Sequence, residues 1–130
     1  MSWKAYSKNF DPAAPVVECE VKGPLSDGTL AVHQFEAMLD TGCDFALLVG
    51  DDFAPFAIEY ENVPLKGICC TAEGHVFVGL SISVEGEPIE PELEVIHCPG
   101  LSIPLLGRPI LNEFLTLLDG ESERFLLARL

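Results

Sequence analysis

The stretch Phe35-Glu-Ala-Met-Leu-Asp-Thr-Gly-Cys-Asp-Phe45 decides how the rest of the chain is read. An apolar strand pattern runs directly into Asp40-Thr41-Gly42, and a second apolar run, Phe45-Ala-Leu-Leu-Val49, follows at once. By average residue usage an Asp-Thr-Gly tripeptide arises by chance in about one chain of this length in forty, so alone it says only that a tight turn joins two strands. Its setting says more, because a carboxylate at the end of a buried strand is costly unless it is hydrogen-bonded or kept partly protonated. Further along, Ile103-Pro-Leu-Leu-Gly107-Arg108-Pro-Ile-Leu-Asn-Glu-Phe114 places two apolar residues, then a glycine, before a helix start.

Working outward, the pattern is strand and turn. Val16-Val-Glu-Cys-Glu-Val21 is β-prone, Gly23-Pro-Leu-Ser-Asp-Gly28 has turn chemistry, and Asp27-Gly28 supplies a positive φ. Thr29 to Leu39 reads as a second strand with Ala31, Phe35, Ala37 and Leu39 on one face. Val76, Val78, Leu80, Ile82 and Val84 recur at period 2 and predict one continuous strand. Asp51 to Ala57 predicts a turn or two of helix, and Arg108 to Phe114 a short helix with Pro109 in its first turn. Leu115–Leu118 and Arg124–Leu130 flank Asp119-Gly-Glu-Ser122 and predict a closing hairpin. The sum is an all-β fold, a small barrel or folded sheet, with one short helix near its C-terminus. Residues 1–14 read as an N-terminal arm that Trp3, Tyr6 and Phe10 pin to a domain spanning 15–130; a docking strand, an autoprocessing segment and plain packing are its open roles.

Composition sets the limits. The chain has 130 residues, the size of one domain, and 48 % of them are hydrophobic, which excludes a disordered acidic tail. Seven Lys and Arg against 21 Asp and Glu leave a net charge of −14, which repels phosphate and so excludes nucleic acid and disfavours an anionic membrane surface. No stretch is apolar enough for a membrane span, and no secretory signal is visible. Five cysteines without export signal or Cys-x-x-Cys spacing predict reduced thiols in a cytoplasmic protein.

Met38-Leu39-Asp40-Thr41-Gly42 and Leu105-Leu106-Gly107 together resemble the retropepsin-like aspartic proteases, the single-domain relatives of pepsin. Gly107-Arg108-Pro109-Ile110-Leu111, followed by Phe114 and Asp119-Gly120, is similar to their microbial, non-viral branch. The resemblance covers about Val16 to Leu130 and implies half of a pepsin-like unit, with Asp40 catalytic. It implies an active-site loop of Thr41, Gly42 and Cys43 supported by Leu105, Leu106 and Gly107, and an extended peptide as substrate. Amide hydrolysis by this route needs two carboxylates sharing one proton, and the chain has one Asp-Thr-Gly. The implied active unit is therefore a homodimer with an Asp40 from each chain. The implied flap is Thr71, Ala72, Glu73, Gly74 and His75 with Glu73-Gly74 as its tip, or else that segment is an ordinary exposed hairpin. Cys43 stands where the family usually has Ala or Ser, either as a small buried residue or as a redox-sensitive one. Arg108 is expected to pair across the active-site loop or the dimer, with Asp44, Asp51 or Asp52 as available carboxylates.

No cofactor or metal is expected. His75, His97, Cys69, Cys70 and Cys98 lack zinc-ligand spacing, and His33 reads as a packed or surface residue. Besides an aspartic endopeptidase, a dimeric peptide-binding or scaffold module that keeps the fold without turnover stays open, because fold does not fix function. Two chains of −14 each repel one another. The dimer is expected to tighten at mildly acidic pH and at higher salt. Sedimentation across pH 4 to 8 and across salt checks this, and a dissociation constant flat in both would contradict it.

Overall fold

Alternating burial in two paired strands sets up the sheet. The computed structural model describes residues 3–65, 73–89 and 94–130. In it, β1 (Lys4–Ala5) belongs to the arm, and β2 (Val16–Pro24) buries Val17, Cys19, Val21 and Gly23 while turning Glu18 and Lys22 outward. β3 (Leu30–Leu39) runs antiparallel to β2 from Val16 opposite Met38 to Pro24 opposite Leu30. The expected turn begins later than its sequence suggests, because Gly23 stays in the ladder, where a Cβ would overlap the Leu80 side chain. Gly28 has φ 88°. Asp27 Oδ1 accepts the Thr29 hydroxyl at 2.6 Å and the Thr29 N–H at 2.9 Å, and these bonds hold its carboxyl below the usual range.

After β3 come β4 (Leu47–Val49), a single 3-10 turn (Asp51–Phe53), β5 (Ile58–Pro64) and β6 (Glu73–Phe77). Then follow β7 (Ser81–Val84), β8 (Glu87–Pro88), β9 (Val95–His97), β10 (Leu105–Leu106) and the one-turn helix α1 (Arg108–Leu111). β11 (Phe114–Asp119) and β12 (Arg124–Arg129) form the expected closing hairpin. Nine strands make one sheet in the order β5-β6-β9-β4-β10-β3-β2-β7-β8, and β1-β12-β11 make a second. A bridge between Leu25 and Phe56, with the Ala57 N–H donating to the Pro24 carbonyl at 2.9 Å, brings the start of β5 against the end of β2 and folds the large sheet on itself. The enclosed core holds Val17, Val21, Leu47, Phe53, Val84, Ile110 and Phe125. The architecture is all-β with one short helix, as expected.

The single strand expected over Val76 to Val84 is two. β6 pairs with β5 and β9, whereas β7 pairs with β2 and β8. The Val78 N–H leaves the pattern to reach the Ala57 carbonyl at 2.9 Å, and Val78 is exposed. Period-2 spacing persists through the break because both halves still need an apolar face, though against different neighbours. The helix expected over Asp51 to Ala57 shrinks to the Asp51–Phe53 turn.

The arm packs on the closing hairpin. β1 pairs with β12, the Tyr6 N–H bonds the Glu123 carbonyl at 2.8 Å, Tyr6 meets Phe125, and the Arg124 guanidinium sits 4.4 Å over the Trp3 ring. At the hairpin end, the Ser122 N–H and then Arg124 hold the Asp119 carboxyl below its usual range. Cys19 is a buried free thiol whose pKa is pushed up to about 12 by burial and secondarily by Glu85, so it stays protonated and inert at neutral pH. Cys98 is buried and disulfide-bonded, which corrects the expectation of five reduced thiols: an odd count excludes complete pairing, not a single bridge. Cys69 and Cys70 lie outside the described residues.

Candidate active site

The two sequence segments that carried the reading meet in space. β10 lies between β3 and β4, parallel to the first and antiparallel to the second: Leu105 faces Met38 and Leu48, and Leu106 faces Leu39 and Leu47. Two apolar residues suffice here because both sides of the strand are paired and both side chains are buried. Immediately after β3, the Asp40 N–H donates to the Leu106 carbonyl at 2.9 Å. The carboxylate of Asp40 therefore leaves the sheet from a backbone that a neighbouring strand holds in place.

The loop then closes on itself. Asp40 Oδ1 accepts the Gly42 N–H at 2.9 Å, and the Asp40 carbonyl accepts the Cys43 N–H at 3.1 Å. Asp40 is half-buried, Thr41 and Gly42 are exposed, and Cys43 is buried with its Sγ 3.5 Å from the Phe45 carbonyl. A Cβ on Gly42 would stand 3.3 Å from Asp40 Oδ1, so a bare glycine gives that carboxylate room.

Gly107 locks the other side. Its N–H donates to the Ala46 carbonyl at 2.9 Å, and the Arg108 N–H to the Cys43 carbonyl at 3.0 Å. A Cβ on Gly107 would overlap the Phe45 carbonyl oxygen and come within 2.8 Å of the Cys43 carbonyl oxygen. The chain past the Asp40 loop thus crosses directly over Gly107, and α1 starts from that contact with Pro109 in its first turn. Of the three available carboxylates the Arg108 guanidinium pairs with Asp44, and both side chains are largely exposed. Asp51 instead accepts from His97, whose Nε2 lies 2.8 Å from Asp51 Oδ1. Asp40, Thr41, Gly42, Cys43, Leu105, Leu106, Gly107 and Arg108 therefore form one neighbourhood.

The flap residues stand differently. Thr71 and Ala72 lie outside the described residues. Glu73, Gly74 and His75 belong to β6, with Glu73 opposite Pro64 and Gly74 opposite Val63, so Glu73-Gly74 is ladder and not a hairpin tip. A Cβ on Gly74 would come within 2.8 Å of the His97 carbonyl oxygen and 2.9 Å of Leu65 Cδ1, so this glycine serves close packing between strands. His75 and His97 face each other with ring centroids 5.6 Å apart. Among the described residues no three His, Cys, Asp or Glu side chains gather in a way that could hold a metal.

An apolar surround was missed in the sequence. Cys43, Leu48, Val76, Ile96, Cys98 and Leu105 form a second buried cluster, with Met38, Phe45, Leu65, Leu101 and Ile103 half-buried against it. The signal was present in Leu101, Ile103 and Leu105, an alternating set beside the apolar-apolar-Gly segment, but Pro104 and the shortness of β10 mask it as a strand.

The comparisons with known proteins follow the same lines. A family model described as retroviral aspartyl protease matches residues 13–119. The solved structure of a retropepsin-like aspartic protease from Rickettsia conorii aligns with a TM-score of 0.51 at 17 % identity, over 88 % of this chain and 93 % of that one. No curated protein matches the chain.

Gly107→Ala is expected to cost about 2–3 kcal/mol, because backbone atoms would have to move. Gly120→Ala, with open space around its Cβ, is expected to stay within about 0.5 kcal/mol of wild type. Urea midpoints of the two variants check this, and equal midpoints would contradict the close crossing.

Proposed function

The chain belongs to the retroviral aspartyl protease family, and from that premise we propose that it is an aspartic endopeptidase in which Asp40 from each of two identical chains forms the catalytic pair. The observation that carries the reading is the Asp40 loop itself: a half-buried carboxylate, fixed through the Asp40 N–H to Leu106, with one such loop per chain. One carboxylate cannot serve as both base and acid in the same step, whereas two sharing a proton can.

In this mechanism the ionised Asp40 takes a proton from a water held between the carboxylates. The water oxygen forms a bond to the scissile carbonyl carbon, while the protonated Asp40 gives its proton to the carbonyl oxygen. Collapse of the tetrahedral species breaks the C–N bond: the amine nitrogen leaves with the proton that the base had taken, and one hydroxyl of the species returns its proton to the other Asp40, so that the acid product forms and the shared proton is restored. Gly42 keeps the loop open at the carboxylate, and by family resemblance the exposed Thr41 hydroxyls tie the two loops together. The half-buried apolar residues Met38, Phe45, Leu101 and Ile103 supply dry walls beside the reacting bond. Arg108, paired with Asp44, braces the stretch that follows the loop. The substrate lies extended, with main-chain bonds to strand edges.

Asp40→Asn is expected to lower kcat on a cleavable peptide about 10³-fold or more, with melting temperature and dimer constant unchanged. A digest of a peptide library from pH 3 to 8 measures it. Full activity in the variant would overturn the assignment, and an inactive wild-type dimer that still binds peptide would select the scaffold alternative.

A further inference from the structure

Two sulfur centres share the apolar cluster beside the Asp40 loop. Cys43, in the loop itself, and Cys98, just past β9, are both buried there with Leu48, Val76, Ile96 and Leu105. Backbone bonds fix Cys98 on two sides: its N–H donates to the Val49 carbonyl at 2.8 Å, and its carbonyl accepts the Leu101 N–H at 3.2 Å. Cys98 is also disulfide-bonded. A covalent tie therefore enters the cluster where the chain leaves β9 on its way to β10, the strand whose Leu106 carbonyl holds the Asp40 N–H.

The other end of the tie follows from the cysteine count. Cys19 and Cys43 are in no disulfide. The remaining cysteines are Cys69 and Cys70, adjacent in sequence and outside the described residues. Whichever of the two bonds Cys98, the other stands next to it in the chain. The bond closes a loop of sequence that contains β6, β7, β8 and β9. Such a cross-link stabilises the fold chiefly by restricting the unfolded chain.

Few backbone pairs hold the strands that meet at this point. β9 registers with β6 at His75–His97 and Val76–Ile96, and with β4 at three positions. β10 is two residues long. Between β9 and β10, Leu101 and Ile103 rest on the cluster by side-chain packing. A bond that pins Cys98 thus acts on the walls of the candidate centre and on the carbonyl that fixes Asp40.

A disulfide opens when a thiolate attacks one of its sulfurs. Cys98 has no exposed surface, so attack from outside the folded chain falls on the sulfur of Cys69 or Cys70. A second cysteine beside the attacked one is the arrangement of a redox-responsive site. We propose that the Cys98 disulfide is a redox-controlled strut of the Asp40 centre: oxidised, it holds the run from Cys98 to Leu106 in place, and reduced by a dithiol, it lets that run loosen. A thiolate of the dithiol, free or on a protein, bonds to the sulfur of Cys69 or Cys70. The S–S bond breaks with its electron pair on Cys98 Sγ, which takes a proton. The second thiol of the reductant then displaces the mixed disulfide, so two electrons pass, the reductant ends as a disulfide and the chain as two thiols. The strut stands on the fold alone, and only its effect on peptide cleavage rests on the endopeptidase reading.

The full chain, purified without reductant, is alkylated, digested and mapped by mass spectrometry before and after native incubation with dithiothreitol. Expected is a cross-linked peptide joining Cys98 to Cys69 or Cys70, opened by dithiothreitol without denaturant. Reduction is expected to speed amide exchange about tenfold at Leu101 and Asp40, to leave the β2–β3 and β11–β12 ladders protected, and to lower the melting temperature by about 10 °C. The double variant Cys69→Ser/Cys70→Ser is expected to behave as the reduced chain with or without dithiothreitol, which separates the bridge from Cys19 and Cys43. A chain with no bridge to Cys98, a bridge that opens only on unfolding, a double variant that still responds to dithiothreitol, or unchanged exchange at Leu101 and Asp40 would each overturn the proposal. Mapping and exchange need no turnover. Full activity in Asp40→Asn would remove the endopeptidase reading and leave the strut, and an inert bridge in an active chain would do the reverse.

Discussion

The chain passes so closely over Gly107 that no side chain fits there, and the candidate centre depends on that contact. The carbonyls of Phe45 and Cys43 occupy the space a Cβ would take, and the Gly107 and Arg108 N–H groups bond Ala46 and Cys43. β10 can then sit between β3 and β4 and satisfy backbone groups on both sides. One of those groups is the Asp40 N–H, bonded to Leu106. The role proposed for Asp40 requires its carboxylate to be held to a fraction of an ångström, and a strand of two residues fixes its backbone from inside the sheet. The glycine and the aspartate are far apart in the chain and act as one structural unit.

This unit was legible because both halves carry short, strongly typed patterns. Met38-Leu39-Asp40-Thr41-Gly42 and Leu105-Leu106-Gly107 each combine an apolar pair with a glycine that has a close neighbour where its Cβ would stand. The closing hairpin and the short helix were legible for the same reason, since Asp119-Gly120 and Pro109 punctuate them. What failed was any inference that needed the partner of a pattern. Val76 to Val84 alternates throughout, yet β6 and β7 pair with different strands, and alternation records burial without naming the neighbour. Glu73-Gly74 looked like a turn because glycine is the usual turn residue, whereas Gly74 is needed for room beside His97 and Leu65. Choosing Asp44 over Asp51 for Arg108, and giving Asp51 to His97, required coordinates. So did the bonding of Cys98, since an odd cysteine count leaves one bridge open.

Charge links the candidate centre to the rest of the surface. A net −14 was first an argument against nucleic acid, and the fold shows where part of it gathers. Glu18 and Glu20 line one cavity, Asp51 and Asp52 line another and Glu36 lines both, while the cations of four ion pairs are used elsewhere on the surface. Excess charge that is clustered and uncompensated lowers stability through self-repulsion and raises the local concentration of opposite charge.

The central claim is that two chains share one catalytic pair. Its most direct measurement is a stoichiometric titration of the wild-type protein, above its dimer constant, with a peptide analogue bearing a hydroxyl in place of the scissile carbonyl. One such molecule spans both Asp40 carboxylates, so the account predicts saturation at one analogue per two chains, with Asp40→Asn abolishing it. Saturation at one analogue per chain, or binding that survives Asp40→Asn, would contradict it.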